Sequence, residues 1–176
     1  DPVPGMTEMA SEIARLGHRR VGAIFGPRNT STGLLRETAL REALEGHGIT
    51  IGAQLTYRGP FDFETGHSGA ELLLQRQPRP TVIVCGNDVV ALGALNAAKE
   101  LGVEVPGDVS IVGFDDLPPA SWPLVQLTTV AFDLDTMART AARLLVDRIE
   151  DQENLPYEHA IFTSRLVRRR TLAAST

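Results

Sequence analysis

Apolar residues in this chain alternate between two textures: short uninterrupted runs, and longer stretches with helical spacing. Val21-Gly22-Ala23-Ile24-Phe25 is an apolar run halted at Gly26-Pro27, and Thr81-Val82-Ile83-Val84-Cys85 and Val109 to Phe114 are two more. Ile49 to Tyr57 reads as a further strand, second in chain order. Runs without polar alternation predict strands covered on both faces, as in parallel sheets. Gly5 to Leu16 is a mixed helical segment closed by Gly17, a residue suited to the left-handed stop. From Thr32 to Glu45, Leu35, Ala39, Ala43 and Gly46 share one side, with Leu40 and Leu44 widening the stripe. A third helix opens at Asp62 or Glu64 and carries Gly66, Ala70, Leu73 and Leu74 to Arg76, ahead of Pro78 and Pro80. The fourth, Val89 to Leu101, aligns Leu92, Leu95, Ala98 and Leu101, with Asp88 as its expected cap. Strand starts near 21, 50, 81 and 109 are spaced by about 30 residues, the length of a βαβ unit. The pattern predicts an α/β fold built on a doubly wound parallel sheet.

The last third breaks this rhythm. Leu117 to Pro123 contains Pro118, Pro119 and Pro123, too many for an α-helix or a central strand. An amphipathic helix is expected over Asp135 to Asp151, with Met137, Ala141, Leu144, Leu145 and Ile149 facing inward and Asn154-Leu155-Pro156 as its stop. His159 to Arg168 alternates like an edge strand or hairpin arm, and Thr171 to Thr176 is expected to fray.

Composition narrows the function. The 176 residues carry 17 basic and 22 acidic side chains, a net charge of −5, and are 43% hydrophobic, an ordinary globular balance. An acidic chain is poorly suited to gripping nucleic acid by its own surface, and 5% aromatic residues disfavour stacking platforms for single strands. No apolar run approaches the roughly 18 residues of a membrane span. Cys85 is the single cysteine, which excludes a disulfide framework and a multi-thiolate zinc site and is compatible with the cytoplasm. The sequence opens Asp1-Pro2 without an initiator Met, a basic region or an apolar leader, so a processed chain or a piece of a longer one is expected.

In open α/β sheets, ligands bind beyond the carboxyl ends of the strands. Those ends offer Asn29, Thr30, Ser31 and Arg36 after the first strand and Gly59-Pro60-Phe61-Asp62 after the second. Gly86-Asn87-Asp88 follows the third and Asp115-Asp116 the fourth. A guanidinium donates in a planar fork, a carboxylate accepts, an amide does both, and a ring covers an apolar face. That inventory suits a small polyhydroxylated or polar ligand. Asp62 and Asp88 read first as helix caps, while for Arg36, Asn87 and Asp115 spacing alone leaves ligand contact and packing equally open. There is no phosphate-binding glycine loop and no G-x-S-x-G elbow. Asp115-Asp116 makes no dyad by itself, because adjacent side chains point apart. His18, His47, His67 and His159 lack ligand spacing and read as surface or packing residues, so no metal and no cofactor is expected. Arg168-Arg169-Arg170 reads as a solvated edge that blocks strand addition.

Several phrases in order resemble the lactose/galactose-repressor family of bacterial transcriptional regulators. They are Leu16-Gly17-His18-Arg19-Arg20-Val21-Gly22, Gly86-Asn87-Asp88-Val89-Val90-Ala91-Leu92-Gly93 and Pro106-Gly107-Asp108-Val109-Ser110-Ile111-Val112-Gly113-Phe114-Asp115-Asp116. Leu127-Thr128-Thr129-Val130 and Leu166-Val167-Arg168-Arg169-Arg170-Thr171 resemble it too, so the likeness runs almost end to end. The resemblance implies a helix-turn-helix headpiece on operator DNA, controlled by a two-lobed effector domain similar to periplasmic sugar-binding proteins. Only the later part of that domain has a counterpart here. Residues 1–17 would lead in from the N-terminal lobe, 18–130 form the C-terminal lobe, 131–157 return to the N-terminal lobe, and 158–176 add an edge strand and tail to the C-terminal lobe. Carried over residue by residue, Arg36 would donate to sugar hydroxyls or a ligand carboxylate and Asn87 would bond both ways. Asp115 would accept from hydroxyls and Phe61 would stack on the ligand. Phe132 stands where Gln is common, which removes a hydrogen bond from the hinge side. The implied protein is no enzyme: it is a cytoplasmic homodimer, pairing through the C-terminal lobe and the helix with Val90, Leu92, Ala94 and Leu95. It would bind a sugar-like effector and touch DNA only through the headpiece, away from any membrane. A sugar receptor of a transport system and an enzyme on the same sheet are the alternatives. Apolar faces near 5–16 and 135–150 are expected to lack the lobe that covers them.

Overall fold

The computed structural model describes residues 1–150 and 156–175. Six strands form one sheet in the order β2-β1-β3-β4-β5-β6. They are β1 (Val21–Phe25), β2 (Thr56–Arg58), β3 (Val82–Cys85), β4 (Ser110–Asp115), β5 (Thr128–Ala131) and β6 (Arg165–Val167). The first five run parallel and β6 is antiparallel to β5. Because side chains alternate across a strand, the apolar runs supply two cores at once. Ala23, Phe25, Val82, Val84, Val112 and Phe114 pack under the helices α1 (Val3–Arg15) and α2 (Ser31–Glu45). Ile24, Ile83, Cys85 and Ile111 pack on the opposite face, under α3 (Phe63–Leu74) and α4 (Asp88–Glu100). This is the doubly wound sheet the pattern predicts.

Several expectations change in detail. The face of α2 turned inward carries Ala39, Leu40 and Leu44, while Leu35 is 56% exposed. On α4 the inward residues are Val90, Ala91, Ala94, Ala97 and Ala98, with Leu92 and Leu95 only half-buried and Leu101 exposed. The reason is close approach between α3 and α4. A Cβ on Gly66 would strike the Val90 carbonyl, and one on Gly93 would strike the Phe63 carbonyl, so small residues fill that interface. The second strand shortens to Thr56–Arg58 because a 3-10 turn, Ala53–Leu55, takes the preceding residues. Pro118–Ser121 forms another single 3-10 turn. Thr128–Ala131, unassigned by its pattern, is a fully buried strand.

The chain ends behave oppositely. The face of α1 bearing Met6, Met9, Ala10 and Ile13 is buried against this sheet, which corrects the expectation of an uncovered surface near 5–16. No side chain of α5 (Leu134–Glu150) is buried; Leu145 and Ile149 are both 61% exposed, so they do not face inward here. Asp133 caps this helix by accepting from the Thr136 N–H at 2.9 Å. Its expected last residue, Asp151, and most of its expected stop lie outside the described residues.

Of the alternating segment 159–168, only Arg165–Val167 pairs as strand. The tail expected to fray is held instead. The Thr171 carbonyl accepts from the Ile111 N–H at 2.9 Å, and its hydroxyl oxygen accepts from the Thr128 N–H at 2.9 Å. The Ala173 N–H donates to Ser110 Oγ at 3.2 Å, and the Ala173 carbonyl meets Nε2 of buried His18 at 2.9 Å. With about 1 kcal/mol per net hydrogen bond, ending the chain at Arg170 and losing these four bonds is expected to cost roughly 4 kcal/mol, read as a lower urea midpoint. An unchanged midpoint would show that the tail contributes nothing.

Candidate functional site

The strand order reverses between β1 and β3: the chain steps from β1 outward to β2, then crosses back to β3 on the other side. The helices that follow β1 and β3 therefore diverge to opposite faces and leave a crevice at the carboxyl ends, the place where such sheets take ligands. Arg36, on the second turn of α2, spans that crevice. One terminal guanidinium nitrogen donates to the Gly86 carbonyl at 2.8 Å and the other to Asp115 Oδ1 at 2.6 Å. The guanidinium lies 4.0 Å from the Phe114 ring centroid and 5.6 Å from that of Phe61. Phe61 rests where Gly26 and Gly86 leave room, since a Cβ on Gly26 would collide with the edge of its ring. Phe132 meets Phe114 edge-on, with centroids 5.4 Å apart. An opening of about 230 Å³ lined by Pro2, Thr32, Leu35, Arg36 and Phe132 gives onto this group.

The five expected residues are thus distributed around one crevice. Arg36, Asp115 and Phe61 are directly grouped, and Phe132 joins through Phe114, a ring for which the strand pattern predicted no part in the site. Asn87 is buried beside them and caps α4, its Oδ1 accepting from the Val90 N–H at 2.9 Å. Its amide nitrogen makes no hydrogen bond among the described residues. Asp62 caps α3 as expected, accepting from the Thr65 N–H at 2.8 Å. Asp88 does not cap α4 and is fully buried.

Electrostatics keep the Arg36–Asp115 pair poised. Burial pushes the Asp115 carboxyl above its usual range, while the Arg36 charge and hydrogen bond oppose that. Asp115 and Asp116 have φ of +117° and +54°, backbone states that cost non-glycine residues of order 1–3 kcal/mol each. Arg169 secures Asp116 at 2.6 Å and also donates to the Leu127 carbonyl at 2.8 Å. Arg168 pairs with Glu12 at 2.6 Å. Arg169 is therefore a tether, which its reading as part of a solvated edge missed, while Arg168 and Arg170 stay exposed beside the edge strand β6 as that reading expects.

Next to Arg36, buried Glu37 gathers three arginines: Arg58 at 2.6 Å, Arg41 at 3.0 Å and Arg28 at 3.2 Å. Arg58 also donates to the Gly26 carbonyl and Arg41 to the Ile51 carbonyl. The cluster ties the ends of β1 and β2 to α2 and so fixes the helix that carries Arg36. Only the i,i+4 spacing of Glu37 and Arg41 hinted at it. Among the described residues, no group of three His, Cys, Asp or Glu is arranged to hold a metal ion, and no helix is long and apolar enough to cross a membrane.

A crevice at the switch point of a doubly wound sheet, here lined by a charge pair and aromatic rings, is the place where sheets of this class take small ligands. Residues 10–172 match the periplasmic binding protein-like domain, and the chain belongs to that family. It is 36% identical over 157 residues to the HTH-type transcriptional repressor PurR of Escherichia coli O1:K1, covering 89% of this chain and 46% of the relative. Its structure is similar to that of the transcriptional regulator CelR in its cellobiose complex (TM-score 0.86, 31% identity, covering 95% of this chain and 51% of that one). It is also similar to a dimeric Lac repressor (TM-score 0.85, 26% identity, covering 97% and 61%). The chain is therefore homologous to regulators of the lactose-repressor type over their effector-binding domain, and it spans about half the length of the curated relatives it matches.

Removing one partner of a buried charge cluster costs about 3 kcal/mol or more, so Glu37→Gln is expected to lower stability by roughly that amount in urea unfolding. Burial alone would raise the Glu37 carboxyl, but the three arginines together outweigh it and hold the group down to about 2. Its contribution is present above the ordinary carboxylate range and is lost as pH falls toward about 2. The wild-type advantage over Glu37→Gln should shrink across that acid window. A difference independent of pH would contradict the assignment.

Proposed function

We propose that this chain is the ligand-sensing part of the effector domain of a bacterial, cytoplasmic transcriptional regulator. It binds a small sugar or similar polar metabolite without turning it over. The observation that carries the reading is the Arg36–Asp115 pair, closed at 2.6 Å across the switch-point crevice and backed by aromatic rings. A ligand hydroxyl can accept from the guanidinium and donate to the carboxylate, while an apolar sugar face meets Phe61. Asn87 supplies further donors, and Phe132 makes the remaining wall apolar. That the relative CelR is seen with cellobiose supports a sugar-like effector.

The domain boundaries follow the same reading. Residues 18–130 and 158–176 form this lobe with α1 packed on it, and the apolar side of α5 within 131–157 turns to a second lobe. Operator DNA is contacted by a helix-turn-helix headpiece elsewhere in the regulator. Effector binding shifts DNA affinity only as far as it favours one lobe arrangement over the other.

Dimerisation uses the outer side of α4. Val90 and Ala94 belong to the internal core, so the contact falls to half-buried Leu92 and Leu95, which line a broad groove with Phe63, Leu124 and Val125. Leu124 is 99% exposed and Phe63 44%. Sedimentation of the chain is expected to show a dimer that Leu95→Glu converts to monomer. A wild-type monomer would contradict this surface.

In the full-length regulator, Arg36→Ala and Asp115→Asn should each abolish the response of operator binding to the effector, with affinity for operator in its absence retained. Unchanged induction in both variants would overturn the site.

A further inference from the structure

One buried carboxylate takes no part in the ligand-facing group. Asp88 is 0% exposed and is the first residue of α4, yet Asn87 supplies that helix's cap. Its two oxygens are used elsewhere: Oδ1 accepts from the Thr129 hydroxyl on β5 at 2.6 Å, and Oδ2 accepts from the Leu117 N–H at 2.7 Å. A Cβ on Gly113 would collide with Oδ1, so β4 carries glycine where the carboxylate passes. Leu117 ends the turn that begins with Asp115 and Asp116, both at positive φ. That turn is pinned at three points: Asp115 by Arg36, Asp116 by Arg169 and Leu117 by Asp88.

We propose that Asp88 is the positioning residue of the effector site: from beneath the sheet crest it anchors the Asp115–Leu117 turn and thereby aims Asp115 at Arg36 and the ligand. The inference deepens the reading of Asp115 as ligand acceptor and rests on it. Asp88 links α4, β4 and β5, so it couples the strand ends on which the crevice depends. A backbone N–H held by an ionised carboxylate is bound about twice as strongly as by a neutral acceptor. The anchor is therefore firm when Asp88 is charged and weak when it is protonated.

The surroundings bring that change near neutrality. Burial raises the Asp88 carboxyl to about 6, against the Thr129 and Leu117 hydrogen bonds that favour its charge, with Asp115 and Asp116 pushing it further up. The groups facing it are Cys85 at the end of β3, Asp115 and Asp116 with their partners Arg36 and Arg169, and the neutral Thr129 on β5. The Cys85 thiol is itself raised by burial and by Asp88, so it stays protonated throughout.

The test needs no effector. NMR of the chain follows the Leu117 amide, the Asp115 carboxyl carbon and the Arg36 guanidinium N–H signals as pH is lowered from neutrality. Wild type should show all three moving together with a midpoint near the Asp88 value of about 6. Asp88→Asn should abolish that shared titration. Thr129→Val removes one donor to the charged form and should move the midpoint upward in all three signals; it decides the matter if Asp88→Asn does not fold. A residue that only supports the fold would lower stability in both variants and leave the Arg36 and Asp115 signals of the folded chain unmoved, and that result would overturn the proposal. Failure of the effector reading itself would appear only in the induction assay, with this shared titration intact.

Discussion

The site depends on one span: a guanidinium crossing from the helix after β1 to the ends of β3 and β4. Arg36 can make it because the strand order reverses there, leaving β1 and β3 adjacent while their helices part. A simple progressive winding would put a helix over that gap. The span is stiff because its charge is matched by Asp115 and its planar faces lie near aromatic rings. Two opposed charges held 2.6 Å apart present a donor and an acceptor side by side. A polyol hydroxyl can engage both without bringing a charge of its own.

Around that span the protein spends its arginines on carboxylates at the sheet's carboxyl edge. Arg36 meets Asp115, Arg169 meets Asp116, and Arg28, Arg41 and Arg58 converge on Glu37. Planar guanidinium forks also reach carbonyls at strand ends, at Gly26, Gly86 and Leu127. These contacts hold loops that have few apolar side chains to pack. The same device explains how two successive aspartates persist at positive φ: each is gripped by an arginine from a different element.

Much of the fold was legible because four apolar runs and their intervening helices obey two clear periods. What escaped was set by contacts distant in sequence. Thr128–Ala131 is too short and too polar to announce a strand, and it becomes one only because β4 and β6 flank it. Leu92 and Leu95 looked like core because they are large, yet the glycines at 66 and 93 draw the helices so close that alanines fill the interior. The tail looked frayed because its bonds run to Ile111, Ser110, Thr128 and His18. At the site, Arg36, Asn87, Asp115 and Phe61 were visible as polar or aromatic residues at strand ends. Asp88 stood at a strand end too but read as a cap, since a buried carboxylate and a surface cap look alike in a sequence, and Glu37 gave no sign beyond its spacing to Arg41.

The exposed α5, with no buried side chain, and the crevice lined by Phe132 just ahead of it fit the proposal that this chain is part of a larger sensor. The most direct test of that account is to read the coding DNA upstream of Asp1. A helix-turn-helix followed by a further α/β lobe, in frame with this sequence, is expected there. A secretion signal ahead of that lobe, or a start codon immediately before Asp1, would contradict it.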